Sequence, residues 1–440
     1  MRAVFLWVLA LASGGPVLYG EGAVAHAGAI IARGGDPYGP ERAGAFVAAN
    51  YPPLAFVVAA VGEAVGPFFA LRLASILSTL ALAVAIGWRA RRPVHALALG
   101  TGFLALFPVE VWGPAHKPDP LAMALTATAV LTVGPTWRRA GIAGTCGALA
   151  ALAKPTSLLP LVVVLIYLLW REREAAVRAL AVAVSVAALA IALSASRFDL
   201  GGIAEHAVRR NELPVDIAQL PSLLLVAVLA LGLFVATAAL TRDGRLRAYL
   251  AGAALVVLLG AREGATINYL LDLSVASSFA LATIATRVRT AALPLGLAAQ
   301  LVVAVIAFHP LDPSASVGAW GDPRRIAFAA SLARTSPHLA EDSGVLVANG
   351  IDPVVDDLFL WSRLVADGSR TDDVTARVDD GEFATVIAEV PLDALATAPG
   401  FERQRWSPAL ARAVLAAYRL DATGDHFYRY VPRRILVRAE

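Results

Sequence analysis

Two lysines, Lys117 and Lys154, stand in a chain that otherwise takes its positive charge from arginine. They occupy GPAHKPDP and ALAKPTSLLP, each at the edge of a long apolar stretch. Glu21 lies just past the first apolar segment. The alternation of basic loops along the chain puts all three on one side of a membrane. A carboxylate and two ammonium groups at one water–lipid boundary suit a phosphate-bearing lipid and a proton transfer.

Several other residues join these candidates. Glu21 can serve as a proton acceptor if a water-filled cavity opens beside it, or it can simply mark a helix end. His26 falls close to it on the following helical stretch. In HKPDPLAMAL, His116, Lys117 and Asp119 open a helix, and Asp119 followed by Pro120 reads as an N-cap with proline at the first position. Capping does not exclude catalysis, and Asp119 is kept as a catalytic candidate beside Glu21. A lysine at a helix N-terminus opposes the helix dipole, whereas a phosphate held by Lys117 and the free amides would fit it. Lys154 either snorkels to lipid headgroups or contacts phosphate. Arg209, Arg210 and Arg262 can bind lipid phosphate or neutralise Glu205, Glu212 and Glu263. Asn268 and Asp272 are one turn apart, and a carboxylate at that depth needs a partner, for which Arg262 and Arg72 are candidates. Tyr51 opens the apolar segment that closes the first loop and is a further candidate contact.

The elements that must position these residues follow from composition. The chain has 440 residues, 58% hydrophobic and 16% charged, with mean hydropathy +0.67. A soluble domain carries about a quarter charged residues, so many membrane spans are expected. The net charge of +3 is small and scattered over short loops, which argues against nucleic-acid binding. The single cysteine, Cys146, excludes an internal disulfide and a cysteine metal site. Candidate spans lie near 3–20, 69–88, 94–110, 119–135, 140–153, 155–170, 176–196, 219–240, 246–260, 267–286 and 291–308. Residues 1–20 also fit a signal peptide, but the multi-span remainder favours an uncleaved first span. Basic clusters at Arg89–Arg92, Arg138–Arg139, Arg171–Arg178, Arg242–Arg247 and Arg287–Arg289 fall in every second loop. The positive-inside rule puts them in the cytoplasm and the candidate residues outside. Counting 51–67 as a span would reverse that order, so it is read as a helix on the outer surface. The outer loop 21–68 is then long, as functional loops are.

Near residue 310 the long apolar runs stop. The expected division is a membrane part, 1–309, and an extracytoplasmic α/β part, 310–440. SGVLVANG and FATVIAEV read as buried strands, HFYRYVPR as a last strand, and SPALARAVLAAYRL as a helix capped by Ser407. The fold class is therefore a polytopic α-helical membrane protein of about eleven spans with a small C-terminal α/β domain. No phosphate-cradling Gly-rich loop and no HExxH motif occurs, so ATP-driven transport and zinc-protease chemistry are not expected.

Glu21 with its helical outer loop, GGDPYGP, YPPLAFVVAAVGEAVGPFFALRLAS, KPDPLAMAL, AKPTSLLPL and NYLLDLSVA occur in an order that resembles the GT-C membrane glycosyltransferases. The similar group is the bacterial one related to protein mannosyltransferases and to the enzyme that adds aminoarabinose to lipid A. The tail, from VVDDLFLWSRLVADG to HFYRYVPR, looks like the outer domain of bacterial members, so the resemblance spans nearly the whole chain. It implies inverting transfer of a pentose or hexose from a polyprenyl-phosphate donor to a hydroxyl of a lipid, glycan or protein, outside the bacterial inner membrane. It also implies the first-loop acid as base. A single acid, Glu21, stands where some members have an Asp-Glu pair, so a divalent cation is an open expectation rather than a requirement.

Other classes make different demands. A secondary transporter shows related halves and interrupted helices at mid-membrane. A lipid-linked polysaccharide polymerase or ligase relies on a large loop between late spans, whereas the large loop here is the first. A non-catalytic scaffold would keep the fold without the site.

Overall fold

The computed structural model describes residues 2–41, 44–286, 292–308, 323–398, 400–424 and 427–433. The boundary expected at 309–310 and the cluster Arg287–Arg289 lie outside the described residues. The membrane part is built from α1 (Arg2–Ala12), α2 (Glu21–Ala32), α3 (Pro53–Val61), α4 (Phe69–Ala90), α5 (Pro93–Leu104), α6 (Phe107–Trp112), α7 (Asp119–Thr132) and α8 (Trp137–Ala153). It continues through α9 (Leu158–Arg171), α10 (Arg173–Ala195), α11 (Leu200–Ala207), α12 (Leu220–Ala238), α13 (Gly244–Leu258), α14 (Leu271–Ala285) and α15 (Ala292–Phe308). A helix stands at every expected span. Five helical stretches, Phe69–Ala90, Arg173–Ala195, Ile217–Ala238, Gly244–Ala261 and Ile267–Ala285, are long and apolar enough to cross a bilayer by themselves.

Small residues place α14 at the centre, against α4, α5, α7, α12 and α13. Its Ser274, Ser277 and Ser278 return their hydroxyls to carbonyls one turn back, at 2.7–2.8 Å, so these hydroxyls are satisfied inside the packed bundle. By contrast α10 packs along α8 and buries only Ala175 and Ala176 fully, as a helix at the lipid-facing edge does. The basic loops gather at one end: Arg89 reaches Asp243 at 3.4 Å, and Arg245 meets Glu172 at 2.8 Å and the carbonyl of Val133 at 2.9 Å. The candidate residues and the C-terminal sheet lie at the other end.

The sheet has the order β1-β2-β4-β3. β1 (His338–Ala340) runs parallel to β2 (Thr385–Ala388); β4 (Phe427–Pro432) pairs antiparallel with β2 and with β3 (Tyr418–Gly424). Trp361, Phe383, Val386, Trp406 and Leu410 fill the core beneath it. Phe46 of the first loop enters the same core, and its backbone exchanges bonds with Val354 and Asp356 at 2.8 and 3.2 Å. Glu41 then clamps Arg210 and Arg370, at 2.7 and 2.6 Å. The long first loop is thereby part of the C-terminal packing unit. Ser407 caps the helix Pro408–Ala417 by accepting from Leu410 N, as the sequence predicts.

Three local expectations are corrected. The first helix stops at Ala12 instead of 20, because Gly14 turns the chain at φ 66° and Pro16 cannot continue a helix. Eleven residues reach only about 16 Å, roughly half a bilayer core. SGVLVANG is no strand: Gly344–Val347 is a single helical turn, started by the Asp342 carboxylate on Gly344 N at 3.0 Å and packed on the start of α2. The span expected at 94–110 breaks after α5, where Pro108 opens the separate helix α6.

Candidate active site

The connector between α1 and α2 ends at Gly20, which adopts φ 75°. Glu21 then opens α2 with no exposed surface. Its Oε2 accepts from Val17 N at 2.8 Å and from the Arg72 guanidinium at 2.6 Å; Oε1 accepts from His116 N at 2.7 Å. Arg72, 1% exposed, also donates to the carbonyls of Ala10 and Gly15, at 2.5 and 2.9 Å. This ion pair clasps the first connector, the start of α4 and the 113–118 loop together. Both Glu21 oxygens are hydrogen-bonded, and the side chain has no exposed surface. Arg72 is spent on Glu21 and is not the partner of Asp272.

The clasp fixes the 113–118 loop. His116 donates Nδ1–H to the carbonyl of Phe68 at 3.0 Å and stands edge-on to its ring. Burial, aided by Arg72, pulls the imidazole pKa down to about 3, so His116 is neutral at any physiological pH. Its Nε2 is buried without a partner. Lys117 points back at Gly20: a Cβ built there would sit 2.7 Å from its Nζ and 3.9 Å from Asp357 Oδ2. Only glycine leaves that space. Lys117 is 7% exposed, and its ammonium makes no hydrogen bond or ion pair with any of the described residues. It faces the ring of Tyr51 at 5.9 Å. Burial lowers its pKa, against the pull of Asp357, Asp119, Glu21 and Asp342.

Asp119 is not the N-cap that its sequence suggests. Pro118 holds that position without a side-chain bond. The Asp119 carboxylate is instead turned to the other lysine: Oδ1 accepts from Lys154 Nζ and from Asn268 Nδ2, the latter at 2.8 Å, and Oδ2 is buried and unpaired. A strong cross-helix cation outcompetes a local cap. Burial alone would lower the Lys154 pKa, but Asp119 and Tyr269, whose ring lies 5.2 Å from Nζ, raise it above the ordinary lysine value. Thr266 donates to Asn268 Oδ1 at 2.9 Å. Thr266 also lines a cleft of about 270 Å³ between the ends of α12 and α13, walled by Leu223, Val226, Gly260 and Ile267.

Glu21, Tyr51, His116, Lys117, Asp119, Lys154 and Asn268 are thus brought together at one end of the bundle. The remaining candidates are elsewhere. Arg209 is exposed beside Glu205, and Arg210 is held by Glu41 in the first-loop clamp. Arg262 is exposed, and its backbone bridges to Val215. His26 holds Asp356 at 3.0 Å and joins α2 to the C-terminal unit. Asp272 is buried within α14 and takes a bond from the Tyr249 hydroxyl at 3.3 Å. Among the described residues no three His, Cys, Asp or Glu side chains are arranged to hold a metal.

Two crystal structures of ArnT from Cupriavidus metallidurans superpose on this arrangement end to end. The form bound to undecaprenyl phosphate matches with TM-score 0.62 and the apo form with 0.63; each is 15% identical and covers 97% of this chain and 96% of that one. The chain shares the fold of these ArnT structures. In this bundle the first loop and the C-terminal α/β unit pack together. No protein-family description and no curated protein matches the sequence.

Sequence reasoning misses two parts of the site. It offers Arg72 as a partner for α14, although Arg72 is the charge that holds Glu21. Asp357, from VVDDLF, lies 338 residues from Tyr19, whose hydroxyl it accepts at 3.1 Å. Its only sequence signal is that of an N-cap, a role it fills on Leu360 N at 3.0 Å.

Proposed function

We propose that this chain transfers a sugar from a polyprenyl-phosphate carrier to an acceptor hydroxyl at the extracytoplasmic face of a bacterial inner membrane. The observation that carries the reading is Lys117, a buried ammonium with no partner among the described residues, set where the bundle meets the C-terminal unit. A buried unpaired charge is costly and is retained where a ligand completes it. A phosphodiester supplies the missing anion. The fold supports the choice of ligand, since the similar ArnT structure was solved with undecaprenyl phosphate. The cleft at Thr266, walled by Leu223, Val226 and Ile267 with Gln219 and Ser222 beside them, would take the first isoprenoid units.

In this reading Lys117 holds the phosphate and stabilises the charge that grows on it as the sugar leaves. Lys154 adds positive potential, and Asp119 with Asn268 fixes its position. Glu21 and Arg72 act as the frame rather than as reactants: the carboxylate expected to be the base is sealed, and its work is to hold the 113–118 loop. The basic loops at the far end of the bundle favour an extracytoplasmic site.

The test is binding of undecaprenyl phosphate, followed by release of radiolabelled sugar from undecaprenyl-phosphate pentoses and hexoses. Wild type is expected to bind the lipid, and Lys117→Met to lose about tenfold or more of that affinity, on the order of the energy of one charge-assisted contact. Equal binding by both proteins would remove the reading.

A further inference from the structure

We propose that Asp357, carried into the site by the C-terminal α/β unit, is the base that deprotonates the acceptor. The inference rests on the transferase reading above and adds the residue that the reading lacks. Four carboxylates come near Lys117, and three of them are committed. Asp342 accepts from Gly344 N at 3.0 Å. Glu21 has both oxygens bonded and no exposed surface. Asp119 is joined to Lys154 and Asn268 through one oxygen, and its other oxygen is sealed in protein. Asp357 differs: Oδ1 is fixed by Tyr19 and Leu360 N, while Oδ2 has no hydrogen-bond partner among the described residues and keeps some exposure.

Geometry favours the same residue. A Cβ built at Gly20 would lie 2.7 Å from Lys117 Nζ and 3.9 Å from Asp357 Oδ2. The ammonium and the free oxygen are therefore no farther apart than those two distances together, yet they form no ion pair. The gap between them is the place for a reacting centre, with the phosphate on one side and the acceptor on the other. The acceptor oxygen bonds to the anomeric carbon while its proton passes to Asp357 Oδ2. The bond from that carbon to the phosphate oxygen breaks, its electron pair stays on the phosphate at Lys117, and the anomeric configuration inverts. Tyr19 from the first connector, Tyr51 from the end of the first loop, Lys117 from the 113–118 loop and the adjacent Asp356 are titratable groups that face Asp357. Burial raises its pKa, with the Leu360 N–H bond and Lys117 opposing, and a carboxyl with a raised pKa is a better base.

Asp357→Asn tests the assignment, because asparagine caps a helix as well as aspartate does and still accepts from Tyr19. The full-length variant is expected to bind undecaprenyl phosphate as wild type does and to lose about 10²–10⁴ in turnover, together with the acidic limb of the pH–rate profile. Formate added to Asp357→Ala is expected to restore part of the rate, an effect that a structural role would not produce. Turnover within about threefold of wild type in Asp357→Asn, well inside what loss of a base costs, overturns the assignment and leaves the transferase reading in place. A wild-type protein that neither binds undecaprenyl phosphate nor releases sugar overturns both.

Discussion

Replacing Glu21 by Gln separates a frame from a reactant. Arg72 is buried at 1% exposure and has one carboxylate partner among the described residues, Glu21, at 2.6 Å. Glutamine leaves the guanidinium charged and uncompensated, which costs about 3–5 kcal/mol for a buried pair. It also offers one acceptor where three donors now converge, from Val17, Arg72 and His116. Measured against a total stability of about 5–15 kcal/mol, the loss is large. The double variant Glu21→Gln with Arg72→Met removes both charges and is expected to regain much of it, since apolar replacements of buried pairs come close to neutral. Reversible unfolding in mixed micelles measures all corners of the cycle, with sugar transfer followed in the same preparations. The clasp account expects activity to fall in step with the folded fraction. A stability change under about 1 kcal/mol combined with a loss of turnover of about 10² or more would refute it and return Glu21 to the reaction.

The same geometry sets four further outcomes. Lys117→Met is expected to raise the stability of the ligand-free protein by about 1–2 kcal/mol while weakening lipid binding about tenfold or more, the usual opposition at a functional charge. Because burial depresses the Lys117 pKa, the ammonium loses its proton earlier than a free lysine as pH rises. Undecaprenyl phosphate affinity, followed by titration from neutral to alkaline pH, is therefore expected to fall below the ordinary lysine range. Gly20→Ala places a methyl 2.7 Å from Nζ at a positive φ, so a backbone cost of about 1–2 kcal/mol and weaker lipid binding are expected together in unfolding and binding assays. Asn268→Ala removes one of the two groups holding Asp119 and is expected to lower turnover severalfold with little change in unfolding free energy.

The helices are legible in the sequence because long apolar stretches and alternating arginine loops leave few ways to thread a bilayer. That alternation also puts Glu21, Lys117, Asp119 and Lys154 at one end without any knowledge of packing. Partners are harder to read. Asp119 followed by proline has the local chemistry of a cap, and nothing local announces that Lys154 will take its carboxylate. Arg72 reads as the first charge of a span until the fold brings the 13–20 connector around it. Asp357 shows only its capping role, because the contact that gives it a neighbour in Lys117 depends on how the C-terminal unit docks on the first loop. SGVLVANG has the composition of a strand, and the Asp342 bond to Gly344 makes it a helical turn.

The most direct measurement is a structure of the full-length protein with undecaprenyl phosphate bound. The account predicts a phosphate oxygen within hydrogen-bonding distance of Lys117 Nζ, in the gap bounded by Gly20 and Asp357, with Glu21 still on Arg72. Phosphate density among the arginines at the opposite end of the bundle, or a Lys117 ammonium that stays empty in the bound state, would contradict it.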